Sequence, residues 1–221
     1  GTRDFYPEEK YTQDFLFRTW ETIAKKYGYQ NFDGPLLEPA ELWKAKSGDE
    51  LTDQMYSFVD KGGKEVAIRP ELTPTLARMM AARKDLKKPL RLYNIGRFWR
   101  YEQPQSGRLR EFSQLNMDLL GEKSMLADAE IIATLVSIAQ AFGLTAKDCY
   151  IRLSNRKLVE SLLLRAGVKA TSSKEICRLI DKYDKMGEKN FVLSLKDAGL
   201  TQTITNNILR LFRIRSLDDI P

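Results

Sequence analysis

Apolar residues Leu16, Trp20, Ile23 and Tyr27 recur three to four positions apart, behind Pro7, Glu8 and Glu9 and ahead of Gly28. That spacing predicts an amphipathic helix opened by a proline and two acids and stopped by a glycine. Two short apolar pieces follow, Tyr29 to Phe32 and Pro35 to Leu37. Next comes a hairpin pattern in which Met55 to Asp60 turns at Lys61-Gly62-Gly63 into Glu65 to Arg69. The Ala- and Met-rich stretch 73–83 predicts a helix with Thr73 as N-cap and Pro74 at its first position. Residues 90–102 and 108–120 read as two long strands around the loop Gln103-Pro104-Gln105-Ser106-Gly107. Ser124 can cap the next helix. Its second half, with Ile131, Ile132, Leu135, Val136, Ile138 and Phe142, is apolar on most sides, which predicts burial against the sheet before the stop at Gly143. A strand over Cys149 to Leu153 closes this alternating region. Short helices are predicted beyond it over 156–166, 173–185, about 189–197 and 202–213. The pattern is that of an α+β fold, an antiparallel sheet flanked by helices over 1–154, followed by a small helical unit over 155–221.

Alternation within the two long strands brings in chemistry. Leu115, Met117 and Leu119 share one face of the second strand, and Phe112, Gln114, Asn116 and Asp118 share the other. Phe98, Arg100 and Glu102 likewise share a face of the first. If both polar faces lie on one side of an antiparallel pair, they form a floor of one guanidinium, two carboxylates, an amide and an aromatic ring; a solvated sheet face is the other reading.

Composition narrows the chemistry. With 43% hydrophobic and 30% charged residues in 221, the chain reads as folded and globular rather than disordered. No apolar run approaches the ~20 residues of a membrane-spanning helix, and the first residues lack the apolar stretch of a signal peptide, so a cytoplasmic protein is expected. Cys149 and Cys177 are too far apart for a zinc knuckle and too few for a disulfide scaffold, and both are expected reduced and buried. No metal-ligand set is predicted. The chain has no histidine, which removes Ser-His-Asp, Cys-His and every other mechanism with an imidazole base from this chain. The net charge of +6 is modest, but between Arg78 and Arg110 ten Lys/Arg face only Asp85 and Glu102. This local excess suits phosphate, and it also fits a solvated basic surface.

Three patterns, in order along the chain, carry a family resemblance. Gly28-Tyr29-Gln30-Asn31-Phe32-Asp33-Gly34-Pro35-Leu36-Leu37 resembles motif 1 of the class II aminoacyl-tRNA synthetases, whose proline sits at the homodimer contact. Phe98-Trp99-Arg100-Tyr101-Glu102, a loop with Arg108 and Arg110, then Phe112, resembles motif 2, two antiparallel strands that hold ATP. Between them, Arg69-Pro70-Glu71-Leu72-Thr73 looks like the amino-acid-binding loop of the histidyl-tRNA synthetases. The stretch from Arg108 to Asp118 has that family's spacing of Arg, Phe, Gln and acid, and Gly1-Thr2-Arg3-Asp4-Phe5 matches its start. Ser154 to Leu158 and Ile180 to Lys185 look like the insertion domain of the archaeal and eukaryotic branch, so the resemblance covers nearly all of the chain.

The resemblance implies a class II synthetase-like antiparallel sheet and a chemistry in which ATP, with Mg2+ as its complex, activates histidine to histidyl-adenylate for transfer to tRNA(His). It implies Arg100 as the catalytic cation; Glu102, Arg108 and Phe112 around ATP; Glu71, Thr73 and Gln114 around the amino acid; Asp118 at the imidazole; and Pro35 at a homodimer contact. The acceptor stem of the tRNA would meet the 103–110 loop and the helical unit. Departures from the family pattern are plain. No Arg-Gly-Leu-Asp-Tyr-type segment, no Gly-rich motif 3 and no anticodon domain is found, and the chain begins without Met. The expectation is an N-terminal piece of a synthetase that folds but activates histidine poorly alone. Two other readings are a non-catalytic synthetase-like regulatory subunit of ATP phosphoribosyltransferase and a tRNA-binding piece without chemistry. Against the regulator stands the joint presence of the Arg100/Glu102/Phe112 and Glu71/Thr73/Gln114/Asp118 sets.

Overall fold

A computed structural model describes residues 1–45 and 49–214, in two compact units that part between Cys149 and Tyr150. The first unit holds α1 (Pro7–Lys26), β1 (Gln30–Asn31), β2 (Leu37–Pro39), α2 (Glu41–Lys44), α3 (Asp49–Asp53), β3 (Tyr56–Val59), β4 (Glu65–Ile68), α4 (Thr73–Ala82), β5 (Leu90–Trp99), β6 (Glu111–Leu120) and α5 (Met125–Ala141). Its strands form two three-stranded sheets. In one, β5 lies between β1, which runs parallel to it, and β6, which runs antiparallel; in the other, β4 lies between β2 and β3, both antiparallel to it.

The predicted strands at 90–102 and 108–120 are present but end earlier at the loop, at Trp99 and Glu111. One face of the β5/β6 pair packs on helices. Tyr93, Ile95, Leu115 and Met117 meet Ala24 of α1, Tyr29, and Ile131 of α5. Polar contacts at the edge of this core fix these helices in place. The Tyr93 hydroxyl donates to Glu21 at 3.1 Å, and Arg91 forks onto both Glu130 oxygens at 2.7 Å. The Tyr29 hydroxyl donates to the same Glu130 at 3.1 Å, and the Tyr27 hydroxyl donates to the carbonyl of Ala133 at 3.2 Å. Burial beside the Glu130 carboxylate pushes the Tyr29 hydroxyl up to about 12.

Three expectations are corrected. Cys149 to Leu153 forms no strand: Tyr150 and Leu153 are exposed, and no strand among the described residues pairs with them. β-branched and apolar content alone does not make a strand without a neighbouring ladder. The apolar half of α5 is not buried all round, because the sheet covers one stripe and leaves Leu135 and Val136 exposed. Nor are both cysteines buried; Cys177 is, while Cys149 is exposed, and both are free thiols.

The second unit holds α6 (Arg156–Arg165), a 3-10 turn (Ala170–Ser172), α7 (Ser173–Asp181), α8 (Tyr183–Asp197) and α9 (Gln202–Leu211). The Asn155 side chain caps α6 by accepting from the Leu158 amide at 3.0 Å. The helices expected at 173–185 and 189–197 are redistributed: α7 stops at Asp181, and α8 starts at Tyr183 and kinks at Gly187, whose φ of 74° is open to glycine. Leu163, Ile176, Phe191, Leu195 and Ile208 form a fully buried core. Tyr183 stacks on Phe212 at 4.2 Å and meets Phe191 edge-on at 5.0 Å. No helix of the described residues is long and apolar enough to cross a membrane.

Phe191→Ala should destabilise the helical unit by about 3–5 kcal/mol, since the ring is wholly enclosed. Urea denaturation of the variant checks this, and a loss below about 1 kcal/mol would contradict the packing. A second outcome concerns pH. Arg91 holds the Glu130 carboxyl below the usual carboxylate range, so the stability it adds is present above the unfolded pKa of about 4.3 and is lost as the pH falls through the folded value. The pair is partly solvated, so the amount is on the order of 1 kcal/mol or less. Unfolding free energies measured from pH ~6 down to ~3 should therefore fall more steeply for the wild type than for Glu130→Gln.

Candidate active site

The β5/β6 ladder decides which side chains share the face away from α1 and α5. Phe98 lies opposite Phe112, Gly96 opposite Gln114, Asn94 opposite Asn116 and Leu92 opposite Asp118. Directly opposed residues point to the same side, so Phe98, Phe112, Gln114, Asn116 and Asp118 form one surface. Arg100 follows β5. Its amide donates to the carbonyl of Arg110 at 2.9 Å, its Nε donates to the carbonyl of Pro70 at 3.0 Å, and its guanidinium carbon lies 5.4 Å from the centre of the Phe112 ring. The half-buried guanidinium is thus on the side of Gln114 and Asp118, neither turned into the interior nor beyond the sheet.

The 69–73 segment crosses above this surface on its way from β4 to α4. The Arg69 amide donates to the Leu36 carbonyl at 2.9 Å, and the Trp99 amide donates to the Arg69 carbonyl at 3.2 Å. The fully buried Trp43 donates from Nε1 to the Glu71 carbonyl at 3.3 Å, while Leu72 anchors the segment in the interior. Thr73 is not the N-cap expected of it: Leu72 occupies that position, and Thr73 is the first helical residue, exposed, with no capping hydrogen bond. Glu38, which composition and spacing did not single out, is buried and accepts from Thr75 at 2.8 Å and from Arg78 at 2.7 Å.

The loop between β5 and β6 supplies the remaining groups. Arg108 approaches Glu102 at 3.1 Å, with the acid mostly buried and the base 60% exposed. The contact is an ion pair without hydrogen-bond alignment, which leaves Glu102 Oε2 buried and able to accept from a further donor or bind a cation. Arg110 covers the Tyr101 ring at 3.9 Å. Among the described residues no group of three or more Cys, Asp or Glu is placed to hold a metal by itself. Pro35 lies in an exposed stretch with Leu36 and Leu37. A cavity of about 670 Å3 lies on the other side, lined by Arg3, Phe17 and Trp20 of the N-terminal segment and by Arg97; it shares only Phe112 with the candidate set.

The buried Arg69 and Asn94, with Gly96 beside them and the mostly exposed Asp33 at the rim, form a constellation under the same surface, and the motifs assign none of them a role. One signal was available: a glycine inside a long strand marks a place where something approaches the backbone closely.

A mixed three-stranded sheet, with one face covered by helices and Gln114 and Asp118 on the other beside Arg100, has the fold of the class II aminoacyl-tRNA synthetases, to which its solved neighbours belong. The family model for histidyl-tRNA synthetase matches residues 1–214. The histidine--tRNA ligase of Opitutus terrae is 41% identical over 219 residues, which is 98% of this chain and 50% of that protein. Among solved structures, the histidyl-tRNA synthetase of Nostoc sp. PCC 7120 superposes with a TM-score of 0.81 at 27% identity, over 99% of this chain and 49% of that one. An ATP phosphoribosyltransferase regulatory subunit/histidyl-tRNA synthetase from Bacillus halodurans gives 0.77 at 24% identity, over 93% and 52%, and shares the fold. The chain belongs to the histidyl-tRNA synthetase family, and it spans about half the length of the relatives it matches.

Proposed function

We propose that the chain carries the amino-acid- and ATP-binding half of a histidine–tRNA ligase, the reaction in which histidine and ATP form histidyl-adenylate and the histidyl group passes to tRNA(His). The observation that carries this reading is Arg100, which shares a face with Gln114 and Asp118 and is tethered to Pro70 in the loop that bears Glu71 and Thr73.

Adenylate formation brings a carboxylate to the α-phosphate, two anions that repel each other. A planar guanidinium at the meeting point offsets the charge that develops there. Arg100 is assigned that role. Phe112, already beneath the Arg100 guanidinium, offers a ring on which adenine can stack. Glu102 reads the adenine amino group or the Mg2+-phosphate assembly, for which its unaligned buried oxygen is suited, and the exposed Arg108 reaches the outer phosphates. The Mg2+ that accompanies ATP neutralises phosphate charge. Glu71 and Thr73 take the ammonium group of histidine, Gln114 lies beside it, and Asp118 faces the imidazole. A carboxylate that hydrogen-bonds the imidazole favours histidine over side chains that lack a donor there. With no protein imidazole in the chain, positioning and electrostatics supply the acceleration.

Charge supports the tRNA side of the reading. Residues 1–149 contain 22 Lys/Arg and 22 Asp/Glu, whereas residues 150–221 contain 14 and 8, so the whole excess of +6 resides in the second unit. Such a surface suits the phosphates of an acceptor stem. Residues 1–154 then act as part of a catalytic domain and 155–221 as a helical insertion, in a cytoplasmic homodimer with Pro35 at its contact. The intact acid and arginine sets favour a ligase over a regulatory subunit.

The chain joined to the remaining half of the Opitutus terrae relative should catalyse histidine-dependent exchange between ATP and pyrophosphate. Arg100→Lys should slow that exchange about 10²-fold because the two-pronged geometry is lost, and an unchanged rate would remove Arg100 from its role. Asp118→Asn should raise the KM for histidine more than the KM for ATP. Equal effects would move Asp118 away from the imidazole.

A further inference from the structure

We infer that Arg69 is the positioning residue of this site. Its buried guanidinium fills the space left by Gly96 and sets the height of the 70–73 loop above the sheet. The inference rests on the proposed ligase reading for its kinetic consequence, and on geometry alone for its structural one.

Arg69 is 3% exposed, yet it is a charged residue in a loop, where an apolar side chain could have packed. Its guanidinium ties the loop to two separate pieces of chain. Nε donates to the carbonyl of Arg97 in β5 at 3.0 Å. Nη1 donates to Asp33 Oδ1 at 2.6 Å and to the carbonyl of Gly34 at 3.1 Å, both in the turn after β1. The group also lies 4.9 Å above the Phe98 ring. Asn94, 2% exposed, holds Asp33 in place by donating to Oδ1 at 3.2 Å and to the Phe32 carbonyl at 2.8 Å. A planar fork can satisfy acceptors in these directions at once; a lysine ammonium on a flexible stem cannot.

Gly96 makes room for this arrangement. A Cβ there would point to the site face and come 2.5 Å from Arg69 Nη2 and 2.6 Å from Asn94 Oδ1. Any side chain at 96 therefore displaces the guanidinium. Displacement does not stop at Arg69. The next carbonyl, that of Pro70, is the acceptor for Arg100 Nε, and Glu71 and Thr73 follow directly. Arg69 acts through these neighbours and touches no reacting atom. It couples the proposed amino-acid loop to the proposed phosphate cation, so both sit at one height above Gln114 and Asp118.

The test uses Arg69→Lys and Gly96→Ala, which disturb one contact from its two sides. Hydrogen exchange of the 221-residue chain should show faster exchange at the amides of residues 71–73, 75 and 76 in both variants, with the helical unit unchanged. In the joined protein used for pyrophosphate exchange, both variants should raise the KM for histidine about tenfold while the KM for ATP stays within about twofold, the scale expected from a loop shifted by less than ~1 Å. Loop amides protected as in the wild type, or histidine and ATP constants that move together, would overturn the inference. If Arg69→Lys does not fold, Asp33→Ala removes one acceptor from the mostly exposed side of the same contact and must give the same pattern. A wild type without histidine-dependent exchange would refute the ligase reading, and Arg69 would then be judged on the loop amides alone.

Discussion

The ten-pair antiparallel ladder from Leu90↔Leu120 to Trp99↔Glu111 is the constraint on which the rest of the first unit depends. Strand side chains alternate, so a slip of one residue would send Gln114 and Asp118 into the helix-packed side and bring Leu115 and Met117 out in their place. Two groups of contacts hold the register. Tyr93, Ile95, Leu115 and Met117 are committed to the core beneath α1 and α5, and the two forks of Arg91 tie β5 to Glu130. Stability on one face thereby specifies chemistry on the other.

The two faces handle charge differently. On the helix side, polar groups are paired off: Arg91 and Tyr29 with Glu130, and Tyr93 with Glu21. On the site side, the Glu102 oxygen beside Arg108 is held in position without an aligned hydrogen bond. A binding surface for charged small molecules requires this second condition, because fully satisfied groups have nothing left to exchange for a ligand.

Much of this was legible in the sequence because it follows from period. The helix at 7–26, the hairpin around Lys61-Gly62-Gly63 and the face shared by Phe112, Gln114 and Asp118 come from spacing alone. The failures share a physical origin in tertiary context. Whether Cys149 to Leu153 becomes a strand depends on a neighbour that local composition does not encode, and the exposure of Leu135 and Val136 depends on how wide a stripe the sheet covers. Thr73 has the residue type of a cap, but the chain enters α4 one residue earlier. Motif spacing collected the residues that would touch ligands. It gave no role to Asp33, which stands inside the first motif, or to Asn94, and these two act on other side chains at sequence separations of 36 and 61.

Trp43 brings one more property. Its indole is completely enclosed, and its nitrogen donates to the carbonyl of Glu71. An indole bonded to a backbone carbonyl in a dry interior emits at short wavelength, and its emission changes when that bond lengthens or water enters. The 69–73 segment is therefore bonded to one of the chain's three tryptophans, and a displacement of it would change that indole's share of the intrinsic fluorescence.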